Sequence, residues 1–223
     1  MVEIIPGILE KDWAAIERKI ELVKPFTNVI HIDIVDGKFA GNTSFLDPSP
    51  FKKYSDEIFF ELHMMVDDPL QYIQSFADAG FKRFLGHVEK MSDVAEFVAE
   101  GQLLGEVGLA IDGKTSIDTI TIPLDDLDNI LIMTIQAGFS GQSFMPEYLE
   151  KVKTLRGKNQ LVRGELFPIE VDGGITDQTI MQAAGAGATR FVTTSFLFGG
   201  ETPQAQYQKL QACLQNASEL RLQ

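Results

Sequence analysis

The chain has a single cysteine, Cys213, among 223 residues, so no intrachain disulfide can form and a reducing compartment suits the composition. It has no basic run. Lys and Arg number 19 against 32 Asp and Glu, for a formal net charge of −13, and this field repels nucleic acid and anionic membrane surfaces. An anionic small molecule therefore needs a local receptor of backbone N–H groups or a cation. No apolar run approaches the ~20 residues of a membrane helix. The opening MVEIIPGILEKDW also lacks the basic and apolar regions of a secretory leader, so a cytoplasmic protein is expected. Missing too are a Pro/Gly/Ser linker, a low-complexity tract and a glycine fingerprint after the first strand-like run, which leads into LEKDW instead. These absences argue against a second domain and against an open dinucleotide-binding sheet.

What is present is a repeating alternation of short β-branched runs and longer amphipathic segments. With 44% hydrophobic content the chain can bury one large core, and a single domain over residues 1–223 is the expectation. Strand-like runs lie near residues 3, 29, 58, 83, 106, 129, 167 and 189. Helical patterns are expected over Asp12–Val23, Pro69–Ala79, Ser92–Leu104, Pro146–Leu155, Asp177–Ala186 and Pro203–Leu214, with Ser92 and Asp177 as caps and the prolines in first turns. Eight β/α pairs in this length predict an α/β protein of the closed (β/α)₈ TIM-barrel class. Long loops after the second and sixth runs, DGKFAGNTSFLDP and QAGFSGQSFMP, are expected to wall the site at the C-terminal mouth.

All three histidines end apolar runs. His31 and Asp33 are two apart, so both should face the interior. His63 ends IFFELHMMV, and Asp172 ends IEVDGG. Two imidazoles and two carboxylates at one mouth can hold a divalent cation, and the donor types alone leave Zn, Fe, Mn and Co open. Each histidine by itself is as compatible with a hydrogen-bonded structural group. His87, with Glu89 two residues on, is a further candidate mouth contact. Gly173 and Gly174, then Thr194 and Ser195, follow the last two runs where such barrels bind phosphate, and Gly138 and Gly141 can add N–H donors.

The runs HIDIVDGKF, ELHMMVDDP, IMTIQAGFSGQSFMPEYLEKV and IEVDGGI resemble the signature segments of the ribulose-phosphate 3-epimerase family, in family order and from Ile5 to Gly199. The resemblance implies a TIM barrel of the ribulose-phosphate-binding type with one divalent metal ion on His31, Asp33, His63 and Asp172. It implies inversion at C3 of a sugar phosphate, D-ribulose 5-phosphate to D-xylulose 5-phosphate, through an enediolate, with Asp33 and Asp172 as acid and base. Met65 and Met133 match pocket walls of the family, and a homo-oligomer is implied as well. The chain departs from the family pattern at several points. Gly7 replaces a substrate-contacting serine and Glu10 a second serine, while Val35 replaces a methionine. The loop Phe39-Ala40-Gly41-Asn42 lacks a proline, Ala137 and Ser140 alter the glycine loop, and Thr194 replaces a glycine. Gly7 and Val35 would leave room for a hexulose 6-phosphate, and Thr194 would resist a positive φ at the phosphate corner. The alternatives are thus a hexulose-6-phosphate 3-epimerase and a non-catalytic sugar-phosphate-binding paralogue. A lyase or decarboxylase lacks the strand-end lysine it would want.

Overall fold

A computed structural model describes residues 2–158, 161–162 and 164–220. Eight parallel strands close on themselves: β1 (Glu3–Ile8), β2 (Val29–Val35), β3 (Phe59–Met65), β4 (Phe81–His87), β5 (Glu106–Ile111), β6 (Asn129–Met133), β7 (Ile169–Asp172) and β8 (Arg190–Thr193). Each pairs with its neighbours in the chain, and β1 pairs with both β8 and β2, which shuts the barrel. The strands read as nearly continuous hydrophobic runs because both faces are covered. One face, including Ile30, Ile32, Phe60, Leu62, Phe84 and Val107, packs against the outer helices. The other carries a separate interior cluster, among it Val35, Met65, Leu85, Ala110, Leu131 and Met133.

The helices are α1 (Trp13–Val23), α2 (Leu70–Asp78), α3 (Val94–Leu104), α4 (Leu149–Lys158), α5 (Ile180–Ala186), α6 (Ser195–Phe198) and α7 (Pro203–Leu220). The strand expectation holds for all eight runs, but the eight β/α pairs need correction. Among the described residues, the crossover from β2 to β3 contains only a 3₁₀ turn, Ser49–Tyr54, and that from β5 to β6 two short ones, Ile117–Thr119 and Leu124–Asp126. Pro48 and Pro50 in the first, and the Thr- and Asp-rich run in the second, disfavour a continuing α-helix. Two expected caps also move by a residue or two. Asp93, not Ser92, caps α3 by accepting from the Glu96 amide at 3.0 Å. At α5 the residue in the cap position is Thr179 rather than Asp177, and its hydroxyl bonds Gly174 O at 2.7 Å. A two-stranded hairpin, Leu161–Val162 with Glu165–Leu166, lies outside the barrel and was not anticipated. Among the described residues no helix is long and apolar enough to cross a membrane.

Candidate active site

Strand register brings the four candidate ligands together. Asp33 on β2 pairs in register with His63 on β3, and Asp172 ends β7 beside Met133 on β6 and Val192 on β8. Thus β7 supplies its carboxylate from across β1 and β8. Asp33 Oδ1 lies 2.8 Å from His63 Nδ1 and 3.2 Å from His31 Nε2, and Asp172 Oδ2 lies 3.7 Å from His63 Nδ1. One donor atom from each of the four residues falls within 4.8 Å of the others, and all four residues are buried.

The layer beneath is also ionic. His31 Nδ1 lies 2.6 Å from Glu61 Oε1, and the second oxygen of Glu61 takes the Arg83 guanidinium at 2.6 Å. Arg83 also donates to Glu106, at 2.7 Å. Glu170 accepts from Asn129 Nδ2 at 2.8 Å and places its other oxygen 3.4 Å from His31 Nδ1. The Arg83 charge keeps Glu61 ionised, so His31 donates its Nδ1 proton downward and presents its Nε2 lone pair upward to Asp33.

That arrangement demands positive charge. An imidazole lone pair and a carboxylate oxygen facing each other inside a barrel repel unless a cation or proton lies between them. The ionisation equilibria point the same way. Burial opposes protonation of His31, yet the Asp33 charge and bonds to Asp33, Glu170 and Glu61 outweigh it and hold its pKa well above the ordinary value. Burial likewise resists ionisation of Asp33, but His31 and His63 prevail and keep its carboxyl far below the usual range. Asp172 goes the other way, pushed up to about 6 by burial and by the Asp33 charge. Two imidazole nitrogens and two carboxylates suit a borderline divalent ion, so the donor set fits one. A second acid and imidazole cluster, His31, Glu61 and Glu170, is a poorer candidate because Glu61 is already neutralised by Arg83 and Glu170 is raised to about 7 by burial and by Glu61.

Above the four residues opens a cleft bounded by Asp33, Asp172, Met65 and Met133 below and by the loops after β6, β7 and β8 above. Gly138, Gly141, Gly173, Gly174, Thr194 and Ser195 all line it. Gly174 has φ +68°, and a Cβ there would sit 2.9 Å from the Phe144 backbone, so conformation and space both require glycine. The loop after β6 is tied to the loop after β2 by Asn42 Nδ2, which donates to Gly138 O at 2.9 Å. Val35 lies in the interior cluster but outside the cleft lining.

Gly7 and Thr194 behave differently from expectation. Thr194 has φ −117°, so this position asks for no positive φ. A Cβ on Gly7 would meet Thr194 Oγ1 at 2.5 Å and Val192 Cγ1 at 2.7 Å. The room left by the glycine at position 7 is occupied by Thr194. Gly7→Ser alone should therefore overpack the barrel and cost about 1–3 kcal/mol, seen as a lower thermal midpoint. Adding Thr194→Gly should recover part of that loss, the remainder being the contact with Val192. Equal midpoints for the parent and Gly7→Ser would contradict this packing.

Sequence reasoning passed over Glu61, Arg83 and Glu170, although a signal was available. Each stands an even number of residues before a mouth residue on its own strand, Glu61 before His63, Arg83 before His87 and Glu170 before Asp172. The two-residue period that joined His31 to Asp33 points these inward too. His87 turns out not to meet the cleft; it lies behind His63, with the two Nε2 atoms 2.9 Å apart.

Comparison with known proteins agrees with this picture. Residues 3–198 match the model of the ribulose-phosphate 3 epimerase family. A ribulose-phosphate 3-epimerase of Schizosaccharomyces pombe is 33% identical over 97% of this chain and 96% of its own length. One from Chlamydia muridarum is 34% identical over 88% of each chain, and one from rice, described as a cytoplasmic isoform, is 32% identical over 90% and 89%. Among solved structures, KGPDC of Streptococcus mutans superposes with a TM-score of 0.70 at 13% identity, over 97% of this chain and 99% of that one, a likeness of fold. With the family pattern running the length of the barrel and relatives a third identical over nearly their whole length, this chain belongs to the ribulose-phosphate 3-epimerase family and is an epimerase.

Proposed function

We propose that the enzyme interconverts D-ribulose 5-phosphate and D-xylulose 5-phosphate, with Asp33 and Asp172 carrying the proton to and from C3 on opposite faces of a planar enediolate. The observation that carries this reading is the pair itself. The two carboxylates come from strands separated by two others, β1 and β8, and reach the same cluster, and their surroundings drive one ionisation down and the other up to about 6. Carboxyl groups whose proton affinities are pushed apart can act as base and acid in one turnover, each taking the other role in the reverse direction.

In this reading His31, Asp33, His63 and Asp172 hold one divalent ion, Zn, Fe, Mn or Co. When bound, it supplies Lewis acidity for the negative charge that develops on the substrate's carbonyl and hydroxyl oxygens. Met65 and Met133 wall the reacting carbons and limit water. The loop backbone at Gly138, Gly141, Gly173 and Gly174, with Thr194 and Ser195, receives the phosphate, which in a chain of net charge −13 needs such a local receptor. A pentulose is favoured over a hexulose because Thr194 fills the space above Gly7. The same reading takes the whole chain as one catalytic domain in a homo-oligomer. It also places the enzyme in the cytoplasm, as the rice relative's description supports.

Protein loaded with Mn²⁺ and given D-ribulose 5-phosphate in deuterated water should yield D-xylulose 5-phosphate labelled at C3. Hexulose 6-phosphates should react at least about tenfold less efficiently, the scale on which a pocket discriminates by one extra carbon. Unlabelled product would sink the proton-transfer scheme, and faster turnover of a hexulose phosphate would sink the substrate assignment. Binding of metal and sugar phosphate without any turnover would favour the non-catalytic reading.

A further inference from the structure

We infer that His87 and Glu89 form a positioning tether that fixes the tautomer of His63, so that Nδ1 of His63 turns a bare lone pair towards Asp33 and Asp172. The inference rests on the metal-site reading above and concerns residues that the reaction itself does not use.

With a cation between His63 Nδ1 and Asp33, as in the metal-site reading, the hydrogen bonds permit one direction only. The amide of Asp112 donates to Glu89 Oε1 at 2.7 Å, and the other oxygen of Glu89 lies 3.0 Å from His87 Nδ1. An ionised carboxylate accepts and never donates, so His87 carries its proton on Nδ1 and has a lone pair on Nε2. Nε2 of His87 is 2.9 Å from Nε2 of His63, with the ring planes 28° apart and the centroids 5.0 Å apart. Two nitrogens at that distance in near-coplanar rings share one proton, and His63 must supply it. The remaining nitrogen of His63, Nδ1, lies 2.8 Å from Asp33 Oδ1; when a cation takes the place of the proton that this contact otherwise needs, Nδ1 is the bare ligand atom and Nε2 keeps the proton.

Both histidines are fully buried, so water does not offer an alternative partner that would let the rings exchange tautomers freely. The outer end of the tether is itself fastened. Lys151 Nζ donates to the carbonyls of Asp112 and Gly113 at 2.7 and 2.6 Å, fixing the loop whose amide grips Glu89. Phe39 closes the side of His87, with ring centroids 4.7 Å apart. His31 is oriented in the same manner by Glu61 and Arg83, so each imidazole has its own carboxylate anchor.

Glu89→Gln tests the direction of the tether with little change of shape. The amide can turn its NH₂ towards His87, which then moves its proton to Nε2 and leaves His63 protonated on Nδ1. Zinc affinity of the variant, measured by chelator competition, should fall about 10- to 100-fold, the usual effect of losing a partner behind a ligand histidine. Long-range proton–nitrogen spectra of the zinc-loaded parent, with only three histidines to assign, should show His63 protonated on Nε2. Unchanged zinc affinity in a folded Glu89→Gln protein, or His63 protonated on Nδ1 in the zinc-loaded parent, would overturn the tether while leaving the metal site standing. If the variant does not fold, the parent spectrum decides alone. A parent that binds no zinc would remove the metal-site reading and the tether with it.

Discussion

Asp172→Asn should reduce turnover of D-ribulose 5-phosphate by at least about 10³-fold, the middle of the range for losing a positioned acid or base, or about 4 kcal/mol of transition-state stabilisation. The side chain keeps its shape and one oxygen but can no longer carry a proton. Because Asp172 is counted both as a proton carrier and as a cation donor, solvent exchange at C3 should vanish in both reaction directions. The stability cost should be small or favourable, since burial and the Asp33 charge already disfavour ionisation of this carboxyl. Turnover within a few fold of the parent would remove Asp172 from the chemistry.

Glu61→Ala should produce the largest loss of stability, about 3–5 kcal/mol, because truncating one member of a buried ion pair strands the other. Glu61 is wholly buried, and Arg83 beside it is nearly so. Of its two ion-pair partners only Glu106, far more exposed, would remain in contact with the guanidinium. For a chain of this size the midpoint of thermal unfolding should drop by about 6–20 °C. Replacing both Glu61 and Arg83 by leucine should restore most of that stability, since apolar residues of similar volume can replace a buried pair. Activity should stay depressed, because His31 has lost the carboxylate that takes its Nδ1 proton. Recovery of both properties in the double variant would show that Glu61 serves packing alone.

The barrel was legible because each strand is a run of β-branched and aromatic residues bounded by turn residues, and all eight appear where those runs lie. The ligand set was legible for a different reason: His31, Asp33, His63 and Asp172 are polar interruptions at the ends of apolar runs. The ionic layer below them escaped because Glu61 and Glu170 sit inside their runs and Arg83 opens its own, where a single charge reads as a solvent-facing position until the two-residue period is followed inward from the mouth. The crossovers without α-helices were hidden by the regularity of the rest. Residues 36–58 and 112–128 carry no helical period, yet counting strands alone implies helices there. The packing of Thr194 over Gly7 was beyond reach, since it depends on the register of β1 against β8. Read singly, the two departures from the family pattern suggested extra space and a positive φ; in contact they show neither.

The account stands on one cation shared by four side chains at the mouth of the barrel. Crystals of the manganese-loaded enzyme, with diffraction recorded on both sides of the manganese absorption edge, test it most directly. A single anomalous peak bonded to nitrogens of His31 and His63 and to oxygens of Asp33 and Asp172 is the expected result. A peak held by other residues, or no peak from fully active enzyme, would contradict it.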